Sequence, residues 1–276
     1  MADLGKYNLL RVAKTVDFGV YLDAGQLGEV LLPKRYIAEA LNANDWVEVF
    51  LYNDSEDRYI ATTESPIATV GEFANLRVVD TNEHGAFLDW GLPKDLFVPL
   101  REQRQKMEMG KHYFVYIYVD EESDRIVASA KTNKFVPGDV SDFEPGQQVK
   151  VVVAHRSDLG YNVIVENRCW GMLYDTETFQ RLRAGEQRTA FVKKVREDGK
   201  LDLSLQRQGV EAIEDFSNTL FQALEEAGGF LPFTDKSSAD EIYENFGVSK
   251  KIFKKAVGRL YKERVIAIED SGIRLA

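Results

Sequence analysis

Between residues 250 and 264 the chain carries Lys250, Lys251, Lys254, Lys255, Arg259, Lys262 and Arg264 against a single acid, Glu263. Ammonium and guanidinium groups at that density neutralise phosphates, and each such contact releases counterions, so the attraction falls steeply with salt. A second basic group, Arg156, Arg168, Lys193, Lys194, Arg196 and Lys200, lies between residues 137 and 208, where 11 basic residues balance 11 acidic ones. The 276-residue chain has a net charge of −10, which weighs against coating a polyanion through bulk positive charge and requires a local basic face instead. The other segments are more repulsive to phosphate. Residues 1–66 hold 6 basic against 11 acidic residues, residues 67–136 hold 9 against 11, and residues 209–276 hold 9 against 12. Either basic group also fits a solvated surface.

The patterns that would imply catalysis are missing. There is no glycine-rich phosphate loop, no HExxH and no nucleophile elbow. His84, His112 and His155 have no neighbouring Cys or Ser arrangement suited to nucleophilic chemistry, and Glu121-Glu122 falls in an expected hairpin turn at 120–124. The one cysteine, Cys169, reads as a buried apolar residue, and no Cys/His cluster has zinc-ligand spacing. We therefore expect a non-enzymatic protein without a cofactor or metal. The first residues lack a basic segment followed by an apolar core, and the most apolar stretches run about six residues where a span needs roughly 20. A cytoplasmic protein with no membrane partner is expected.

The chain repeats. Phe18-Gly19-Val20-Tyr21-Leu22-Asp23, His84-Gly85-Ala86-Phe87-Leu88-Asp89 and Leu159-Gly160-Tyr161-Asn162-Val163-Ile164 align on a glycine inside a strand. About forty residues later each is followed by a second marker, at Asp57-Arg58-Tyr59-Ile60, Asp124-Arg125-Ile126-Val127 and Gly199-Lys200-Leu201-Asp202. The glycines are 66 and 75 residues apart and the basic residues of the second marker 67 and 75, so both markers move together. In the second unit strands are expected at 73–80, 85–89, 96–98, 112–120 and 125–130, with a short helix at 100–109 that has counterparts at 35–41 and 176–182. Five short strands in about 70 residues suit a closed barrel in which the strand glycine permits a sharp bend. Units of 1–66, 67–136 and 137–208 follow, with cleavable joints near 65–66, 136–138 and 208–209.

The tail changes period from two to 3.6. Ile213, Phe216, Leu220, Ala223, Leu224 and Ala227 share a helical face that ends at Gly228-Gly229. Ser238-Ala239-Asp240-Glu241 reads as a capping box opening a second helix, and Gly247-Val248-Ser249 as the turn before a third. That third helix should bury Ile252, Phe253, Ala256, Val257 and Leu260 and turn its lysines outward. A hairpin over 264–275 completes a winged helix at 209–276.

The internal Gly-aromatic strand and the closing Asp/Gly-Arg/Lys-hydrophobic strand resemble the S1 RNA-binding domain, a variant of the OB-fold. The match is closest in the second unit and most divergent in the third. Three such barrels ahead of a winged helix resemble the conserved virulence factor B (YitL-like) family. The resemblance implies single-stranded RNA held across the second and third strands by aromatic stacking, with Lys and Arg on the phosphates. Its stacking positions fall on Phe18 and Tyr21, on His84 and Phe87, and on Leu159 and Asn162. Only the first two units keep stacking capacity, although alternation leaves Tyr21 and Phe87 equally suited to the barrel core. Tyr161 shifts that alternation in the third unit, where charge is expected to replace stacking. A histidine that ends the third strand in many S1 domains is Pro33 and Pro99 here, and the closing basic residue is Arg58, Arg125 and Lys200. A regulator acting on transcripts is the first expectation. A transcription factor contacting duplex DNA through the third helix and a ribosome-associated accessory are the alternatives.

Overall fold

A computed structural model describes residues 2–175, 178, 181–207 and 210–276. The chain forms two compact units, Met1–Pro137 and Gly138–Ala276. The first holds two closed five-stranded barrels and the second a third barrel followed by the winged helix.

The first barrel comprises β1 (Tyr7–Val16), β2 (Gly19–Asp23), β3 (Glu29–Pro33), β4 (Trp46–Asn53) and β5 (Tyr59–Thr62). The second comprises β6 (Phe73–Thr81), β7 (Gly85–Asp89), β8 (Leu96–Pro99), β9 (His112–Asp120) and β10 (Arg125–Ser129). The third comprises β11 (Gln148–Ser157), β12 (Gly160–Val165), β13 (Cys169–Tyr174), β14 (Gln187–Val195) and β15 (Leu201–Ser204). All three close in the order first, second, third, fifth, fourth, with the third and fifth strands parallel.

The repeated glycine has a steric cause. A Cβ on Gly19, Gly85 or Gly160 would lie 2.2, 2.2 or 2.1 Å from the carbonyl oxygen of Leu32, Val98 or Leu173 on the facing strand. Any side chain there would push the second and third strands apart at the barrel's tightest corner. Each first strand also carries one extra residue, Ala13, Val79 or Ala154, where its register against the second strand shifts. Such bulges bend and twist the strand and so help close a small barrel. Between them, strict alternation sends Leu76, Val78, Ala86, Leu88, Leu96, Val98, Val115 and Ile117 into the second barrel's core. Full burial of a side chain of this kind contributes about 1.5–3 kcal/mol. Cys169 is buried as well, and burial pushes its thiol up to about 11, out of the reactive range.

In the first two barrels the helices expected before the fourth strand do not form. Only 3₁₀ turns appear, at Lys34–Tyr36 and Leu100–Glu102. After Glu102 the Gln103 side chain replaces the helical ladder, donating to the Val98 carbonyl at 3.1 Å and accepting from the Met107 amide at 3.0 Å. Most of 176–182, and the joint expected at 208–209, lie outside the described residues.

Within the first unit the hydrophobic cluster crosses from one barrel to the next. Phe50 packs edge-on against Trp90 at 5.9 Å, and Tyr52 joins the same cluster. Around it, Asn53 accepts from the Ile126 amide at 3.3 Å, and Asp57 pairs with Lys94 at 2.9 Å and Arg125 at 2.5 Å.

In the second unit, α1 (Val210–Glu226), α2 (Ala239–Phe246) and α3 (Lys250–Lys262) pack on a three-stranded sheet. Its order is β16 (Phe230–Leu231), β18 (Gly272–Leu275), β17 (Ile266–Glu269). The two-residue β16 is too short to show a period in the sequence. The capping box forms as read, with Ser238 accepting from Glu241 N and Glu241 accepting from Ser238 N, and Ser249 caps α3. Gln206, just past the third barrel, donates to the Gly247 carbonyl and accepts from the Ser249 amide, so the α2–α3 turn is tied to the end of that barrel.

Candidate nucleic-acid interface

The second strand of each barrel sets an outward face. In β2, Val20 and Leu22 are buried and Tyr21 is half-buried, while Phe18 just before the strand is 57% exposed. The two rings meet edge-on at 6.4 Å, and the Lys14 ammonium lies 4.7 Å from the Tyr21 ring centre. In β7 the pattern is identical. Ala86 and Leu88 are buried, Phe87 is half-buried, and His84 stands exposed at the strand's entry. The expected rings therefore belong to the outer side of the first two barrels.

Sequence reasoning missed Phe97. It faces Phe87 across the β7–β8 pair, with ring centroids 5.2 Å apart. The signal was available, because Leu96 and Val98 flank it with core-type side chains. The corresponding pairs are Tyr21 with Leu31 in the first barrel and Asn162 with Met172 in the third.

Tyr161 does not shift the alternation. It occupies the inward position taken by Val20 and Ala86, and Asn162 the outward one taken by Tyr21 and Phe87. A tyrosine is tolerated inside because its hydroxyl, at the barrel end, accepts from Arg156 Nη1 at 3.1 Å and from the Leu182 amide at 3.2 Å. Tyr174 stands opposite Gly160, where Pro33 and Pro99 stand opposite Gly19 and Gly85, and it donates to Asp202 at 3.0 Å.

His84, Phe97, Pro99, Arg101, Asp120 and Arg125 line a groove of about 450 Å³ on the second barrel. Arg101, also unforeseen, reaches Asp120 at 3.4 Å and Glu122 at 3.7 Å. The closing basic residues are paired as well. Arg58 takes Asp54 at 2.8 Å and Glu56 at 3.0 Å, and Arg125 takes Asp57. The guanidinium groups of Arg58, Arg101 and Arg125 are themselves exposed while Asp54 and Asp120 are largely covered, so a phosphate would compete for each arginine with the carboxylate already there.

The six basic residues of the third barrel do not form one patch. Arg156, paired with Asp175 at 2.9 Å, and Arg168 lie at opposite ends of the β12–β13 hairpin. Arg168 is held by Asp139 and Asp142, both at 2.6 Å, and stacks over Phe143. Hydrogen bonds from Ser141 and from Arg168 pull the Asp139 carboxyl down to about 2. At the β14–β15 end, Arg196 pairs with Asp198 and Asp202, and Lys200 approaches Asp198 at 3.8 Å. Lys194 is exposed beside them, opposite Asp202, and Lys193 precedes it on β14.

On α3, Phe253, Ala256, Val257 and Leu260 are buried and Lys251, Lys254, Lys255 and Lys262 exposed, the division expected from the period. Ile252, expected inside, is partly buried, as is Lys250 at the first turn. Arg259 is not part of the open face, because Glu214 at 2.7 Å and Glu263 at 3.0 Å hold it. Lys254 comes within 3.8 Å of Asp235. Among the described residues Lys251, Lys255 and Lys262 have no ion pair.

Residues 4–64 and 70–131 match the S1 domain family, and residues 218–275 match the CvfB-like winged helix domain. The chain is 28% identical to YitL of Bacillus subtilis (strain 168) over 275 residues, covering 96% of this chain and 91% of that one. It is 28% identical over 256 residues to conserved virulence factor B of Staphylococcus aureus (strain N315), with 85% and 83% covered. A solved multidomain protein with nucleic acid binding domains from Streptococcus pneumoniae TIGR4 aligns over 99% of this chain and 98% of that one, at 26% identity and a TM-score of 0.41. S1 domains and a winged helix point to nucleic-acid binding, and neither matched family is a catalytic domain. Among the described residues no helix is long and apolar enough to cross a membrane.

Proposed function

Because the chain resembles the conserved virulence factor B family in both its S1 domains and its CvfB-like winged helix, we propose that it binds single-stranded RNA and regulates gene expression by acting on transcripts after they are made, without enzymatic activity. The observation that carries this reading is the outward pair Phe87 and Phe97 beside a groove that holds His84 and Arg125. Every base has a π-face, so half-exposed rings on adjacent strands accept successive unpaired bases without reading their edges. A duplex, with its bases already stacked, has nothing to offer such a surface. The α3 lysines supply the second half of the reading, since an ammonium binds phosphate as a point charge, whereas reading base edges usually relies on Arg, Asn or Gln.

Titration of labelled single-stranded RNA and duplex DNA of matched length, at one salt concentration, tests the proposal. Tighter binding to the single strand is expected. Preferential binding to one duplex DNA sequence would replace this reading with that of a transcription factor.

A further inference from the structure

Gly258 lies in the middle of α3, and the surrounding structure gives no reason for a glycine there. A Cβ placed on it meets no atom within 4 Å, and its φ lies outside the left-handed range. After proline, glycine is the residue least suited to a helix interior. The contrast with Gly19, Gly85, Gly160 and Gly272 is direct, since a Cβ on any of these would collide with a backbone oxygen at 2.1–2.2 Å. Gly258 also occupies a particular place on the helix. At 3.6 residues per turn it falls about 20° from Lys251 and about 40° from Lys254 and Lys262, on the side opposite Phe253, Ala256 and Leu260. Tyr261, three residues on and 55% exposed, borders the same strip and pairs with no other ring among the described residues.

We infer that Gly258 is the floor of a nucleotide subsite on α3. The sugar–phosphate backbone of a single strand closes on the helix at the position without a side chain, Lys254 and Lys262 take the phosphates on either side, and the Tyr261 ring stacks one base. Close approach of a backbone to a ligand is one of the situations that call for glycine. Each lysine lies four residues from Gly258, a rise of about 6 Å, so the ammonium groups flank the point of approach. This inference rests on the proposal that α3 binds single-stranded nucleic acid, and it specifies where the strand touches.

The test uses the full chain and a fluorescein-labelled single-stranded RNA of about 12 nucleotides. Gly258→Ala is expected to raise the melting temperature, because alanine is the better helix former, and yet to weaken binding at least about threefold. Gly258→Leu should weaken it about tenfold or more. Tyr261→Leu should lose about tenfold, within the range of one stacked base, while Tyr261→Phe retains wild-type affinity. Wild-type affinity in both Gly258 variants would overturn the inference, and so would wild-type affinity in Tyr261→Leu for its stacking half. The triple variant Lys251→Ala, Lys254→Ala, Lys255→Ala separates the two levels. If it loses affinity while the Gly258 variants do not, the subsite alone falls; if it too binds like wild type, the assignment of α3 to nucleic acid falls with it.

Discussion

Phe87 on β7 and Phe97 on β8 face each other with ring centroids 5.2 Å apart and planes inclined at 38°, while Ala86, Leu88, Leu96 and Val98 beside them are buried. The two rings thus form a platform on the outside of the second barrel that the core does not need. Phe87→Ala and Phe97→Ala should each weaken single-strand binding by about 1–3 kcal/mol, with circular dichroism unchanged. The pair Leu159→Ala and Asn162→Ala in the third barrel should bind like wild type. Loss of folding in either phenylalanine variant would assign these rings to the core.

How much of this was legible in the sequence depends on the range of the interactions involved. The repeated glycine was legible because one cross-strand contact, to Leu32, Val98 or Leu173, fixes it in each unit. The caps at Ser238 and Ser249 were legible because their partners lie three residues away. Phe97 and Arg101 were missed because their roles depend on pairing across strands and on a turn that the sequence suggested was a helix. Tyr161 was misplaced because a tyrosine inside a small barrel is acceptable only with Arg156 and Leu182 at hand, and neither adjoins it in sequence. The acid partners of Arg125 and Arg168, and Glu214 beside Arg259, are distant in sequence and could not be read from composition counts, whereas Asp54 and Glu56 lie close to Arg58 in the chain and were within reach of a local reading.

Glu102 makes the second barrel sensitive to acid. Burial pushes its carboxyl up, but the Ser129 hydroxyl at 2.6 Å and the Lys134 ammonium at 3.0 Å outweigh this and hold it below the usual carboxylate range. A carboxyl depressed in the folded state contributes stability that is present above its unfolded value, about 4.3, and is lost as the pH falls through the folded value. Glu102→Gln should cost about 1–3 kcal/mol near neutrality. It should also flatten the decline of the urea midpoint on acidification, and an unchanged acid profile would remove Glu102 from this role.

Trp90 joins the first two barrels mechanically. Its ring meets Phe50 of the first barrel, and its Nε1 donates to the Lys94 carbonyl at 2.7 Å, next to the Asp57–Lys94 pair. Trp90→Ala should cost about 3–5 kcal/mol. Asp57→Asn, which keeps a residue that tolerates the left-handed φ of 62° and removes only the ion pairs with Lys94 and Arg125, should cost less than about 1 kcal/mol. Because the cluster is shared, Trp90→Ala should lower the melting of both barrels in one transition, readable by hydrogen exchange at Val20 and Leu88. Protection lost at Leu88 alone would mean that the barrels unfold independently.

The lysine face of α3 has a signature in salt that no structural role would imitate. Each phosphate neutralised on a single strand contributes a slope of about −0.7 to the dependence of log K on log salt. Lys251, Lys254 and Lys255 are all exposed, and among the described residues Asp235 is the one acid in an ion pair with any of them. Replacing the three by alanine should therefore flatten the slope by roughly two units if each meets one phosphate, and should do so alike for RNAs of different sequence. Helix propensity does not confound the result, since alanine favours the helix and Phe253, Ala256, Val257 and Leu260 keep it anchored. An unchanged slope together with unchanged affinity would place the phosphate contacts elsewhere, with the β14–β15 end of the third barrel, where Lys194 is exposed, as the next site to test by the same measurement.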